Sequence, residues 1–135
     1  MLKIIIGVKG TGKTKSLISL VNEAVEKSHG DVVCIEKGVK LRYDIKYRAR
    51  LIDTNEYFVD DAQSLYGFVA GILASNHDVT DLFIDSALKI ANNDMVGFEA
   101  FLKEVDELTT KIGVNVVITS SIPTEEASDI VKKYL

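Results

Sequence analysis

Gly7-Val8-Lys9-Gly10-Thr11-Gly12-Lys13-Thr14 matches the pattern G-x-x-x-x-G-K-[ST] at every fixed position. The residues before it, Leu2-Lys3-Ile4-Ile5-Ile6, form a short β-branched run of the kind that makes a buried strand. After it, Leu17, Ile18, Val21, Ala24 and Val25 recur at helical spacing. Strand, glycine turn and helix N-terminus in that order predict an anion site. Glycines let backbone N–H groups turn inward around a phosphate, and the helix end adds partial positive charge. In such a loop the Lys13 amine reaches the β- and γ-phosphates, and the Thr14 hydroxyl completes the shell of a Mg²⁺ ion. The predicted ligand is a nucleoside triphosphate or diphosphate, held by Lys9, Gly10, Thr11, Gly12, Lys13, Thr14 and Lys15.

The 135 residues have room for one domain, predicted to span 1–135. An apolar share of 47% with 27% charged residues is ordinary for a folded chain. No apolar run approaches the ~18 residues of a membrane span. The first strand begins at once, which is read as leaving no room for a secretory leader. The single cysteine, Cys34, lies between Val33 and Ile35 and has no partner for an intramolecular disulfide. It predicts a reduced, cytoplasmic setting and a buried, inert thiol. The net charge of −4 offers no overall attraction to nucleic acid or to anionic membranes.

Along the chain, Val32–Ile35 reads as a second buried strand ended by Glu36-Lys37-Gly38. From Val39 to Leu51, apolar and polar residues alternate: Val39, Leu41, Tyr43, Ile45, Tyr47, Ala49 and Leu51 against Lys40, Arg42, Asp44, Lys46, Arg48 and Arg50. A period of two predicts a basic edge strand or hairpin over 39–51 with one wet face. On that reading Tyr43 and Tyr47 are packing groups. With Lys37 included, the segment carries a local charge of +5, and Asp53, Glu56, Asp60 and Asp61 follow with −4. Asp60 and Gln63 resemble a capping-box variant, and behind them Leu65, Phe68, Val69, Ile72 and Leu73 form a helical stripe. Gly67 and Gly71 in that helix are read as sites of close packing on the sheet. Leu82–Asp85 is a further strand, a longer helix runs from about Asp94 to Ile112, and Val114–Thr119 is the last strand. A final helix is predicted from about Thr124 to Tyr134. Alternating strands and helices predict an α/β fold with a parallel sheet, helices on both faces, and ligands at the strand C-terminal ends.

A phosphate loop needs a carboxylate on a neighbouring strand end to hold Mg²⁺. Asp85, at the end of Leu82-Phe83-Ile84, is the candidate. The last strand ends in three hydroxyls, Thr119-Ser120-Ser121, which either face the γ-phosphate or open the turn before Pro123.

These residues together resemble the core of the RecA-like ATPases, within the broader class of P-loop NTPases that place a strand between the two Walker strands. Gly7–Thr14 matches the Walker A motif, Leu82-Phe83-Ile84-Asp85-Ser86 is similar to the Walker B strand, and Val117-Ile118-Thr119-Ser120 is similar to the polar sensor strand. The resemblance implies a three-layer fold with a mainly parallel five-stranded sheet. It places the first strand between the Walker B strand and the last one. It implies bound ATP and Mg²⁺, with Thr14 and Asp85 at the metal and Lys13, Glu36, Thr119 and Ser120 as the catalytic set. Thr119 or Ser120 would sense the γ-phosphate. The glutamate that many relatives carry directly after the Walker B aspartate is Ser86 here. Glu36, at the end of the strand after the first helix, is the candidate for orienting water, with Glu56 and Asp53 as alternatives. The loops by which RecA-like recombinases grip DNA have no counterpart.

Three functions follow as expectations. The first is a slow or partner-activated Mg²⁺-dependent ATPase, and the second a non-catalytic nucleotide-binding switch or assembly module. The third is a small-molecule kinase with Lys40–Arg50 as its lid. That basic segment also offers Arg42, Arg48 or Arg50 to a second copy, a protein partner or a phosphate backbone.

Overall fold

The computed structural model describes residues 1–135. The expected short apolar runs become strands β1 (Leu2–Ile6), β2 (Asp31–Glu36), β4 (Val79–Ile84) and β5 (Asn115–Ser120), and Arg50–Asp53 adds β3. They form one sheet in the order β1-β5-β4-β2-β3, and every neighbouring pair is parallel.

Alternate residues of the strands feed two separate cores. Val32 and Cys34 of β2 and Phe83 of β4 face α1 (Lys13–Lys27), which meets them with Leu17, Val21 and Val25. Val33, Ile35, Leu82, Ile84, Val116 and Ile118 face the opposite layer. There α2 (Ala62–Ser75) contributes Leu65, Val69 and Leu73, and α4 (Met95–Ile112) contributes Phe98, Phe101, Leu102 and Val105. The result is the expected three-layer α/β sandwich, and strands buried on both faces explain their unbroken apolar runs.

The strand order differs from one expectation. β5 lies between β1 and β4, so the first strand sits at the sheet edge and not between β4 and the last strand. The broader pattern, one strand between the two Walker strands, is the one found. The side chains explain the placement. β5 buries Val116 and Ile118 in one core and turns Val117 toward the other, which requires a central slot. β1 exposes Lys3 and tolerates the edge, where the Ile4 N–H donates to the Tyr134 carbonyl at 2.8 Å. That bond lets the C-terminal segment cover part of the edge.

The strand or hairpin expected over 39–51 does not form. Only Arg50 and Leu51 of that stretch join a strand, β3, at the opposite edge of the sheet, and residues 38–49 run mostly through turns. Leu41, Ile45 and Ala49, four apart, are buried against α1, whereas Tyr43 and Tyr47 are 90% and 95% exposed. The tyrosines are therefore not packing groups. Turn hydrogen bonds from the N–H groups of Asp44 and Ile45 to the Leu41 carbonyl replace ladder bonds.

Smaller differences follow the same logic of local bonding. The capping box belongs to Asp61 and Ser64, one residue later than expected. Gly67 and Gly71 lie on the exposed side of α2, where an added Cβ would meet nothing within 4 Å. The last helix is broken into a 3₁₀ turn (Thr124–Glu126) and a single helical turn, α5 (Asp129–Lys132). No helix is long and apolar enough to cross a membrane.

Candidate functional site

The parallel register brings the strand ends to one level: Ile6 faces Ser120, Ile118 faces Ile84, and Ile84 faces Ile35. Beyond these pairs the chain leaves the sheet at Gly7, Asp85, Ser121 and Lys37. They gather at the C-terminal end of the sheet, where parallel folds hold ligands.

The loop after β1 is shaped by its glycines. Gly7 has φ 152°, and a Cβ there would stand 2.7 Å from Thr11 Oγ1. Gly12, at φ 86°, is the residue before α1 and supplies no side-chain cap. The first N–H groups of the helix therefore keep no side-chain partner, and no acidic residue occupies the first turn. An uncapped, acid-free helix N-terminus is an anion-binding end. The Val8 carbonyl ties the loop together, accepting from Thr11 Oγ1 at 2.8 Å and from Lys13 Nζ at 2.9 Å.

Asp85 lies directly across from the helix start. The Thr14 hydroxyl donates to its carboxylate, at 3.2 Å from Oδ1 and 3.4 Å from Oδ2. The Thr119 hydroxyl donates to Oδ1 at 2.8 Å and accepts the Ser86 N–H at 2.8 Å. The carboxylate is thus oriented by hydroxyls from α1 and β5. Ser86 has φ 56°, a left-handed conformation rare for a residue with a side chain and characteristic of functional turns. It opens a short helix, α3 (Ala87–Ile90), whose Leu88 N–H donates to Ser120 Oγ at 3.3 Å. Ser120 is buried there, while Ser121 reaches the cleft.

Between these groups is a cleft of about 520 Å³. Lys9, Lys13 and Lys15 come from the loop and α1, Lys40 from the segment after β2, and Lys89 from α3. Asp85 is the one carboxylate in the wall. Five lysines against one acid suit a polyanion such as a polyphosphate chain.

Glu36 stands apart from that wall. It is 3% exposed, and its two carboxylate oxygens accept the Lys40 N–H at 3.1 Å and the Leu41 N–H at 3.2 Å. Burial pushes its pKa above the ordinary value, the two backbone amides pull it back, and the charges of Asp85 and Asp53 raise it further. Glu36, Asp53 and Glu56 line a second, smaller cleft of about 320 Å³ beside the basic segment. Asp53 is committed to the Gly38 and Asn55 N–H groups, at 2.8 and 2.9 Å.

The structure thus brings Lys9, Gly10, Gly12, Lys13, Thr14, Lys15 and Asp85 to one cleft. Thr11 braces the loop from within, and Thr119 acts on Asp85 from behind. Lys40, Lys89 and Asn93 are cleft residues that the sequence reading did not single out. Lys40 was hidden in a run of similar charges, and Lys89 and Asn93 carry no motif. The proposed lid is anchored on α1 by Leu41, Ile45 and Ala49.

No family model matches the chain, and no curated protein matches its sequence. Solved structures do match its fold. A KaiC-like protein from the hyperthermophilic archaeon Pyrococcus horikoshii OT3 superposes with a TM-score of 0.71 at 16% identity, covering 98% of this chain and 66% of its own. The pCW3 conjugation coupling protein TcpA, in a monomer form with ATPγS, superposes with a TM-score of 0.54 at 14% identity, covering 98% and 46%. This chain therefore spans about two-thirds of the first and under half of the second. Its fold is that of a RecA-like P-loop core.

Proposed function

We propose that this protein binds ATP together with Mg²⁺ in the cleft between Gly7–Thr14 and Asp85, and hydrolyses it slowly or on engaging a partner. The observation that carries the proposal is the uncapped start of α1, joined to Asp85 through Thr14, at the edge of a lysine-rich cleft. The backbone amides of the loop and Lys13 would bind the β- and γ-phosphates, and Lys9 and Lys15 would add charge. The presence of ATPγS in the TcpA structure supports the same ligand class.

The donor set fits Mg²⁺. Thr14 and Asp85 offer hard oxygens within hydrogen-bond distance of each other, and no cluster of three His, Cys, Asp or Glu side chains builds a separate metal cage. One hydroxyl and one carboxylate, completed by phosphate oxygens and water, is the ordinary way to hold this ion. When bound, the ion would neutralise charge developing on the phosphates. Thr119 would keep the Asp85 carboxylate turned toward it.

Titration with a fluorescent ATP analogue, alongside a phosphate-release assay, tests this reading. Saturable binding is expected in the unchanged protein, and Lys13→Ala should weaken it by more than about tenfold, since a charge-assisted contact is lost. Binding that survives Lys13→Ala unchanged would remove the cleft from consideration.

A second reading, a nucleotide-binding switch without turnover, is favoured by one observation. Asp85 is the only carboxylate in the cleft wall, and both oxygens of Glu36, which lies outside that wall, already accept a backbone N–H. Tight binding with no phosphate release above background would select it.

A further inference from the structure

The segment after β2 brings an unpaired cation into the phosphate cleft on a braced piece of backbone. Lys40 lines the cleft opposite the loop, is exposed, and takes part in neither of the two ion pairs of the molecule. Its own N–H is held by Glu36, and the next residue, Leu41, is both held by Glu36 and buried in the cluster that Leu17, Val21 and Val25 of α1 help to form. Further along, the Asn22 side chain of α1 donates to the Asp44 carbonyl and accepts the Lys46 N–H, each at 2.9 Å. Lys46 also pairs with Glu26 of the same helix. The segment is therefore mounted on the helix whose N-terminus forms the phosphate loop.

We propose that Lys40 is a phosphate-binding residue that contacts the terminal phosphate of a nucleoside triphosphate, and that Glu36 is its positioning residue. This deepens the reading of the cleft as an ATP site and rests on it. The direction follows from the sheet. The phosphate loop leaves β1, Asp85 leaves β4, and Lys40 follows β2, which lies beyond β4 from the loop. A phosphate chain starting over the helix N-terminus and passing the Thr14–Asp85 pair ends nearest Lys40. Glu36 does not contact the phosphates. Its buried carboxylate fixes the backbone from which the lysine projects, so little side-chain and loop ordering remains to be done on binding. The same residues would make the cleft sensitive to whether the third phosphate is present.

Affinities for a fluorescent ATP analogue and the matching ADP analogue, measured for Lys40→Met, Lys40→Arg, Glu36→Gln and Lys13→Ala, separate the outcomes. Lys40→Met is expected to weaken triphosphate binding by about tenfold, as for loss of one charge-assisted contact, and diphosphate binding by less than about twofold. Lys40→Arg should restore most of the preference. Glu36→Gln should lower the triphosphate-to-diphosphate preference in the same direction, and combined with Lys40→Met should add nothing further, the signature of two residues acting through one contact. Equal losses for both nucleotides, or no loss, in Lys40→Met would overturn the proposal while Lys13→Ala still reports the cleft. Full triphosphate affinity in Glu36→Gln with turnover abolished would reassign Glu36 to the attacking water. If no protein binds either analogue, the ATP reading itself fails. Lys40 is exposed, and thermal unfolding without nucleotide checks that its variants remain folded.

Discussion

The loop Gly7–Thr14 and the segment 37–49 meet at one cleft, which the segment enters with Lys40 and Leu41, and they are made rigid in opposite ways. The loop braces itself: its glycines adopt positive-φ conformations that residues with side chains rarely take, and the Val8 carbonyl accepts from both Thr11 and Lys13. The segment borrows its rigidity from outside. Glu36 of β2 holds its start, Asp53 of β3 holds Gly38, and Asn22 of α1 holds its middle. Self-braced backbone depends on a handful of consecutive residues. Borrowed rigidity depends on partners far apart in the chain, so it is sensitive to changes in the core and can couple the cleft to the surface around it.

The largest expected effect breaks the segment. Leu41→Ala empties a buried site in the core beneath α1 and should cost about 2–5 kcal/mol in urea unfolding, the range for core leucines. Tyr43→Ala and Tyr47→Ala, at exposed positions, should stay within about 0.5 kcal/mol. Comparable losses at all three positions would mean that the segment packs as a two-sided strand after all.

That contrast also explains what could be read from the sequence. The residues buried every fourth position, Leu41, Ile45 and Ala49, are a subset of the period-two set Val39 to Leu51. Alternation in the letters therefore cannot separate a strand from a chain of turns seated on a helix. The partners that decide it, Asn22 and Glu36, lie outside the segment. The loop was legible because its glycines, Thr11 and Lys13 act on neighbours in the chain, and Asp85 because a strand end is a local signal. Thr119 was found as a hydroxyl near the site, but its bond to Asp85 depends on β5 lying beside β4. The edge position of β1 was not legible, because it rests on partners at the far end of the chain such as Tyr134.

A smaller effect probes the self-braced side. Gly7→Ala places a Cβ against Thr11 Oγ1 at a φ that disfavours side chains, and should cost about 1–3 kcal/mol. Because the bond the loop makes to a distant residue, from Thr14, goes to Asp85 and not to the segment, the strain should also appear as weaker binding of the ATP analogue, with the turns of 37–49 left intact. Hydrogen exchange at the Lys46 amide reports the second half of that statement. If Gly7→Ala loosens that amide too, the loop and the segment are one unit and the distinction between them fails.

The smallest expected effect concerns the electrostatics of the segment's main anchor. Burial raises the Glu36 pKa above its ordinary value of 4.5, against the pull of the Leu41 and Lys40 amides. The folded protein then favours the protonated carboxyl more than the unfolded chain does. Stability from this group is fully present below 4.5 and is lost as pH rises through the raised value. Urea midpoints measured upward from 4.5 through the raised value should fall more steeply for the unchanged protein than for Glu36→Gln, which has no proton to release. The glutamine is less stable at every pH, because its NH2 group replaces one of the two accepting oxygens and sets a donor against a backbone N–H. Parallel curves would mean that the two amides cancel the cost of burial, so that the anchor is held as firmly when ionised as when neutral. The segment would then stay braced across the whole range.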